Sequence, residues 1–210
     1  MKAALCKSLD GPAAVVVEEI ADPAAGPGEV VVRVRAAALN FFDTLITRGK
    51  YQTKPELPFS PSGEIAGVVE ALGAGVTGVT VGDRVAAAVG YGGAREKVVV
   101  AAESLIPIPP SVSDAVASAV SVTFGTAIHG LKDRGRVKPG EWVAILGASG
   151  GAGQAALEIA KLMGARVIAG ASSDDKLEIC RAMGADEVVN YDAVDLKDTL
   201  KALTGGRGVD

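Results

Sequence analysis

Residues 142–162 read WVAILGASGGAGQAALEIAKL, which is an apolar run, a glycine-rich turn and a helical pattern in that order. This order predicts a strand, a phosphate-binding turn and a helix, because such a turn leaves unpaired backbone amides at the helix N-terminus, where a pyrophosphate can bind. The segment therefore predicts a dinucleotide-binding site. The predicted cofactor-binding residues of the turn are Ala148, Ser149, Gly150, Gly151, Ala152 and Gly153.

Strand and helix patterns alternate around this motif, which predicts one half of a doubly wound parallel sheet. The predicted strands are residues 141–146, 166–171 and 187–190. The predicted helices are residues 151–163, 174–183 and 194–204. The first of them has an apolar stripe suited to packing on a sheet, formed by Ala152, Ala156, Ile159, Ala160 and Met163.

Residues 204–210 read as a turn entering a fourth parallel strand. A half-sheet of three strands would leave an apolar edge exposed. We therefore expect the chain to be the N-terminal part of a longer protein, truncated after the first half of the nucleotide-binding sheet.

The first part of the chain is rich in short strand patterns separated by glycine and proline turns, which predicts a small barrel or sandwich. The predicted strands are residues 2–7, 14–19, 29–38, 63–73, 83–89 and 95–101. A short helical turn is expected between residues 40 and 48. Further helices are expected up to residue 122, capped by Ser111 or Ser113, and at 126–134. The predicted domains are therefore residues 1–120 and 121–210.

Composition excludes several functional classes. The net charge is −4, and no run of lysine or arginine occurs, which disfavours nucleic acid as the main ligand. No apolar run approaches the ~20 residues of a membrane span, and the N-terminus lacks a signal-peptide pattern. The two cysteines, Cys6 and Cys180, lie far apart and predict reduced thiols in a cytoplasmic protein.

The residues after the second predicted strand of this sheet bear on the choice of nucleotide. NAD sites usually carry a carboxylate about 20 residues beyond the glycines, where this chain has Ala171. Ser172, Ser173 and Lys176 follow, and hydroxyl and ammonium groups favour a ribose 2′-phosphate. Asp174 and Asp175 are interpreted as first-turn helix residues rather than ribose ligands. The pattern predicts NADPH.

Several motifs occur together and in order, and the chain resembles the zinc-independent quinone oxidoreductases of the medium-chain dehydrogenase/reductase superfamily. The motifs are ALNFFD at 38–43, GKY at 49–51, PSGEIAGVV at 61–69, VGDRV at 81–85, FGTA at 124–127, Ala148-x-Gly150-x-x-Gly153 and Asn190-Tyr191. The resemblance implies an α/β protein with a GroES-like β-barrel followed by a Rossmann-type sheet. It also implies hydride transfer from NADPH to quinones or other α,β-unsaturated carbonyls, Tyr191 near the adenosine phosphate, and a homodimer of the full-length protein.

No metal site is predicted. Alignment with the zinc-dependent branch puts Asn40 or Phe41 near the usual cysteine, and Gly63 where a histidine would precede Glu64. The closely spaced cysteines of a structural zinc lobe are missing. His129, the only histidine, falls in a predicted helix.

Without a metal, hydrogen-bond donors must stabilise developing negative charge at the acceptor. Asn40 and Tyr51 are the candidate polar contacts, and rim packing is an equally compatible role for Tyr51. Asp43 is expected to fix local backbone or Tyr51 rather than to perform acid–base chemistry. Thr126 is a candidate contact to the nicotinamide amide, or else a helix N-cap.

Alternative functions remain open at this point. An enoyl-thioester reductase would use the same donor, although no basic cluster indicates a site for the phosphate of coenzyme A. A non-catalytic NADPH-binding protein and an incomplete fragment are also compatible with the sequence. The substrate is not determined, since Phe41, Phe42 and Tyr91 supply either a generic apolar wall or barrel core.

Overall fold

The computed structural model describes residues 1–210, which separate into two compact units, Met1–Val122 and Thr123–Asp210. We call them the N-terminal unit and the C-terminal unit. The first is predominantly β-structure, and the second alternates strands and helices. None of the helices combines the length and the apolar character needed to cross a membrane.

The N-terminal unit contains seven strands. In chain order they are β1 (Lys2–Cys6), β2 (Val15–Glu19), β3 (Glu29–Ala38), β4 (Glu64–Leu72), β5 (Arg84–Ala88), β6 (Lys97–Ala101) and β7 (Ile106–Pro107). β1 and β2 form an antiparallel pair, and the others form an antiparallel sheet in the order β6-β3-β4-β5-β7. Its core is built from alternate residues, such as Val30 and Val32 on β3 and Ile65 on β4, because successive side chains of a strand point to opposite faces.

Four short helical elements complete the N-terminal unit. They are two 3-10 turns, at Pro12–Ala14 and Ala102–Ser104, and the helices α1 (Phe41–Ile46) and α2 (Asp114–Ala117). β3 carries register shifts against β4 between Val31 and Val32 and between Val34 and Ala36. Such bulges bend a strand and increase its twist. α1 follows β3 after two residues, so the end of this bent strand positions Asn40 and Asp43.

The C-terminal unit is a parallel sheet with helices. Its elements are α3 (Thr123–Ile128), a π-helical segment (His129–Arg134), β8 (Trp142–Leu146), α4 (Gly151–Leu162), β9 (Arg166–Ala171), α5 (Asp174–Ala182), β10 (Glu187–Asn190) and α6 (Leu196–Leu203). The strand order β10-β9-β8 is that of half a doubly wound sheet. At the open edge of β8, the amide of Asp210 donates to the carbonyl of Trp142 at 3.0 Å.

Two local predictions were wrong, and a third is confirmed only in part. The helix expected to reach residue 122 ends at Ala117, although Ser113 caps it by accepting a hydrogen bond from the Val116 amide at 3.2 Å. The helix expected to begin at residue 126 begins at Thr123 and continues as the π-helical segment. On α4 the predicted stripe is confirmed at Ala160, which is buried, and at Ala156, which packs against the same cluster. Ala155 and Leu157 are also buried, whereas Ala152 is exposed. Contacts with β9 residues such as Val167 and Ala169 select that face, and periodicity alone does not.

Candidate functional site

The glycine turn joins β8 to α4 in the C-terminal unit. Gly147 has a φ of +64°, and its carbonyl accepts a hydrogen bond from the Gly150 amide at 2.9 Å. A Cβ atom on Gly153 would lie 2.3 Å from the Gly147 carbonyl oxygen, so only glycine fits there. The first amides of a helix have no intrahelical acceptor, and here they follow this turn directly. The turn thus presents unpaired donors that suit a pyrophosphate.

Within this turn the residues differ in what they offer. Ala148 is fully buried, and its amide donates to the Gly170 carbonyl at 3.0 Å, which ties the turn to β9. The carbonyl of Ser149 accepts a hydrogen bond from the Gln154 side chain at 2.7 Å. Ala148 and Ser149 therefore support the shape of the turn, while the amides of residues 151–153 lie in the first turn of α4, where a helix leaves donors without intrahelical acceptors.

A second group of predicted residues lies at the carboxyl ends of β9 and β10. The Lys176 ammonium donates to the Ser172 hydroxyl at 3.0 Å, and Ser173 is the N-cap of α5 without a side-chain cap bond. Ala171 is buried and offers no carboxylate. Ser172, Ser173 and Lys176 are thus brought together as one polar, positively charged group.

Neighbouring residues limit the alternatives at this end of the sheet. The Asp174 carboxylate, which follows Ser173 directly, accepts a hydrogen bond from Asn190 Nδ2 at 3.4 Å. Tyr191 lies against β9, since a Cβ atom on Gly170 would be 3.2 Å from Tyr191 Cδ1. Tyr191 follows β10 directly and so lies at the carboxyl ends of the strands. Doubly wound sheets bind their ligands at that edge.

Thr126 lies within α3, where it is exposed. The alternative interpretation of Thr126 as an N-cap is wrong, because α3 already begins at Thr123. α3 lies beside α4: a Cβ atom on Gly151 would be 3.7 Å from the Thr123 methyl group.

In the N-terminal unit, Asn40 and Asp43 belong to one hydrogen-bond network at the start of α1. The Asp43 carboxylate is 5% exposed and accepts from the Asn40 amide and the Ser62 amide, both at 2.7 Å. Ser62 has a φ of +74°, a left-handed conformation that is uncommon for serine and is held here by this bond. Asp43 therefore fixes backbone at two points, and both of its oxygens are engaged.

The Asn40 side chain is half-buried and reaches Glu64, its Nδ2 donating to Glu64 Oε1 at 3.0 Å. Its neighbours Leu39 and Phe41 are 72% and 78% exposed. Asn40 and Asp43 also line a cavity of about 240 Å³ whose walls are otherwise mostly apolar. Asn40 thus places a carboxamide in an apolar, accessible setting.

Tyr51 is not part of this network. Its ring stacks on Phe42 with centroids 5.4 Å apart, and it packs beside the cluster of Cys6, Ile46 and Phe59. Tyr91 likewise packs edge-on against Phe59, at 6.2 Å. The structure brings Asn40 and Asp43 together by hydrogen bonds and gives Tyr51 a packing contact.

Glu64 is a functional candidate that the sequence did not single out. It was named only as the residue after Gly63, where the zinc-dependent branch has a histidine. It is the first residue of β4, is 1% exposed, and accepts hydrogen bonds at both oxygens, from Asn40 and from the Val122 amide at 2.9 Å. One signal was present in the sequence: a glutamate within the apolar pattern GEIAGVV. Buried carboxylates are rare without a partner.

The side chains capable of binding a metal are dispersed. Cys6 and Cys180 are fully buried, and that burial raises the pKa of both thiols. His129 is exposed and lies 3.2 Å from Asp133. A Cβ atom on Gly63 would lie only 2.4 Å from Phe42 Cζ, so the Phe42 ring occupies the space a side chain there would need. No group of three or more histidine, cysteine, aspartate or glutamate side chains is arranged to hold a metal ion.

Comparison with known proteins agrees with this two-unit architecture. Residues 26–110 match the alcohol dehydrogenase GroES-like domain, and residues 151–210 match the family described as zinc-binding dehydrogenase. Quinone oxidoreductase-like protein 2 of Rattus norvegicus is 40% identical over 209 residues, which cover 99% of this chain and 59% of the relative. The chain therefore spans about three fifths of that relative's length.

Two solved structures extend the comparison. The quinone oxidoreductase of Thermus thermophilus, also solved in complex with NADPH, is 40% identical with a TM-score of 0.85, over 97% of this chain and 64% of that one. An NAD-dependent alcohol dehydrogenase is 37% identical with a TM-score of 0.91, over 100% of this chain and 69% of that one.

A GroES-like unit followed by a Rossmann-type half-sheet defines the class of medium-chain dehydrogenases and reductases. Within that superfamily, the chain belongs to the quinone oxidoreductase family. The family and the fold class predicted from the sequence are confirmed.

Proposed function

We propose that the protein transfers a hydride from NADPH to a quinone or another α,β-unsaturated carbonyl compound, without a metal ion. The observation that carries this proposal is the arrangement of two groups along the C-terminal unit. A glycine turn with unpaired amides comes first, and Ser172 and Lys176, joined by a hydrogen bond, follow at the end of the next strand. The relatives in the rat and in T. thermophilus support a quinone as the acceptor.

NADPH is preferred to NADH because of the charge at the ribose end. A 2′-phosphate gains charge-assisted hydrogen bonds from Lys176 and the two serine hydroxyls. The 2′-hydroxyl of NADH finds no carboxylate at position 171 to accept its hydrogen bond, because that residue is alanine. The Asp174 carboxylate already accepts a hydrogen bond from Asn190 Nδ2.

The acceptor site is assigned to the surroundings of Asn40. An apolar cavity beside a carboxamide suits a flat, neutral, conjugated carbonyl compound. Asn40 donates a hydrogen bond to the acceptor oxygen as negative charge develops there. Asp43 holds the backbone that carries Asn40, and Leu39 and Pro61 are among the apolar residues that line the cavity.

A catalytic zinc does not fit these residues. Zinc sites are formed from cysteine, histidine and carboxylate ligands in close array. The Phe42 ring fills the space beside Gly63, both cysteines are buried in hydrophobic clusters, and His129 lies exposed on another element. Conjugated acceptors delocalise the negative charge themselves, so the chemistry proceeds with hydrogen-bond donors and a proton from water.

The dinucleotide, when bound, supplies the hydride. Residues of this chain hold both the dinucleotide and the acceptor. The turn of residues 148–153 binds the pyrophosphate, Tyr191 contacts the adenosine phosphate, and Thr126 contacts the nicotinamide amide. The whole protein is proposed to act as a cytoplasmic homodimer on a small-molecule substrate.

Titration with NADPH and NADH, followed by nicotinamide fluorescence at fixed ionic strength, tests the cofactor assignment. We expect NADPH to bind at least tenfold more tightly, about 1.4 kcal/mol. Lys176→Ala should remove most of this preference by weakening NADPH alone. Lys197→Ala removes an exposed lysine from α6 and is the matched control. Equal affinities in the wild-type chain would refute the NADPH assignment while leaving the reductase open.

Turnover assays then test the reaction class. NADPH oxidation is measured with a benzoquinone, a simple enone and a conjugated coenzyme A thioester. Faster turnover of the quinone or enone supports the proposal, whereas a clear preference for the thioester identifies an enoyl-thioester reductase. Tight NADPH binding without turnover of any acceptor by the full-length protein would favour a non-catalytic binding role.

A further inference from the structure

Glu64 is a buried carboxylate for which hydride transfer itself requires no role. It is 1% exposed, and none of the ion pairs of the chain includes it. Its only partners are two N–H donors, the Asn40 carboxamide at 3.0 Å and the Val122 amide at 2.9 Å. A carboxylate is costly to bury unless its hydrogen bonds are made, so this pair of donors explains how Glu64 is tolerated.

The bond to Glu64 selects one of the two orientations of the Asn40 carboxamide. The terminal torsion of an asparagine is broad and roughly two-fold, so an unrestrained carboxamide presents either its oxygen or its nitrogen. A carboxylate accepts and never donates, and it therefore selects the orientation with Nδ2 toward Glu64. One N–H of Asn40 is then engaged, and the second N–H and the carbonyl oxygen have a defined direction.

The second oxygen of Glu64 holds a different part of the chain. Val122 precedes α3 directly, and Asn40 lies 24 residues before Glu64 while Val122 lies 58 residues after it. This second bond fixes the Glu64 carboxylate itself, so that its other oxygen has a defined direction toward Asn40.

We propose that Glu64 is a positioning residue that orients the Asn40 carboxamide toward the acceptor. The part of the proposal that concerns the acceptor rests on the proposed function. The hydrogen bond itself does not, and it is tested without turnover.

Nuclear magnetic resonance of chain labelled at asparagine tests the contact directly, because Asn40 and Asn190 are the only asparagines. The side-chain protons of Asn40 should exchange with solvent more slowly than those of Asn190, whose bond to Asp174 is exposed. Glu64→Gln should shift the Asn40 pair, because a neutral carboxamide replaces the charged carboxylate that accepts its hydrogen bond. The Asn190 pair should not move, and Glu103→Gln, which alters an exposed and unpaired glutamate, should move neither.

Unprotected Asn40 side-chain protons in the wild-type chain would overturn the proposal, as would an Asn40 signal that Glu64→Gln leaves unchanged. The first measurement requires no variant, so the proposal stays testable if Glu64→Gln fails to fold. Asn40→Ala assigns the signals by removing one pair.

Kinetics of the full-length protein test the link to the acceptor. Glu64→Gln should lower kcat about tenfold or more, because small misplacements of a positioned group are costly, and should leave the affinity for NADPH unchanged. Glu64→Gln should add nothing further to Asn40→Ala, since it acts through that side chain. Independent, multiplying effects of the two substitutions would overturn the positioning role. Absence of wild-type turnover would instead refute the proposed function, and the resonance measurements would still decide the contact.

Discussion

The two units use their polar groups in opposite ways. Every buried polar or charged side chain of the protein lies in the N-terminal unit: Asp43, Thr47, Ser60, Ser62, Glu64 and Ser118. The C-terminal unit buries apolar residues only, such as Leu157, Val167 and Ile168. Its candidate ligand-binding groups are backbone amides at the start of α4 and side chains near the surface at the end of β9.

This difference determines how each candidate site is vulnerable. Around Asn40, geometry depends on hydrogen bonds between individual side chains and backbone, so removal of one oxygen leaves buried donors without an acceptor. Around the glycine turn, geometry depends on close backbone packing, so the addition of one methyl group is the damaging change. One substitution in each site tests this contrast, and a third tests an ion pair outside both sites.

The largest effect on stability is expected for Asp43→Ala. It leaves the buried amides of Asn40 and Ser62 unpaired, and each such group costs about 1–3 kcal/mol. Asp192→Ala removes the same carboxylate from an exposed position of the C-terminal unit and should cost little. Chemical denaturation measures both variants. A loss from Asp43→Ala no greater than that from Asp192→Ala would contradict the importance of the buried network.

An intermediate effect is expected for Gly153→Ala, whose methyl group would lie 2.3 Å from the Gly147 carbonyl oxygen. Relief of such a backbone clash costs about 1–3 kcal/mol and must displace the turn. The affinity for NADPH should fall about tenfold or more. Gly130→Ala adds the same methyl group where no atom lies within 4 Å and is the control. Unchanged affinity of Gly153→Ala would show that the turn does not bind the pyrophosphate.

The smallest effect is expected for Asp114→Asn and depends on pH. The Arg84 side chain, by its hydrogen bond to Asp114 at 2.7 Å, holds the pKa of that carboxyl below its usual range. A lowered folded-state pKa contributes stability above the unfolded-state pKa of about 4, and this stability is lost as the pH falls through the folded-state value.

At neutral pH, Asp114→Asn should therefore cost about 1 kcal/mol or less, as is typical of partly exposed ion pairs. The difference from the wild-type chain should shrink below about pH 4. Asp192→Asn, at an exposed position outside the ion pairs, is the matched control. A difference that persists undiminished in acid would exclude the ion pair as its cause.

The sequence predicted the elements of the C-terminal unit more completely than the contacts around Asn40. The predicted bounds match the structure for the strands Arg166–Ala171 and Glu187–Asn190 and for the start of α4 at Gly151. Glycine, serine and apolar residues mark these boundaries locally. The gathering of Ser172 with Lys176 also follows from helical spacing. By contrast, the buried face of α4 was predicted only in part and the π-helical segment was not predicted, since packing against neighbouring elements selects them.

The amino-acid sequence by itself determined the order of the elements, the family and the glycine turn. Each of these depends on residues close in sequence whose backbone preferences act within one or two turns. Only the tertiary structure decided that Glu64 meets Asn40 and Val122, that Asp43 holds Ser62, and that Tyr51 packs on Phe42 rather than joining the network. Those contacts join positions 19 to 58 residues apart, or depend on ring packing, and so exist only once β3, β4 and the loops at their ends are brought together by burial of their apolar faces.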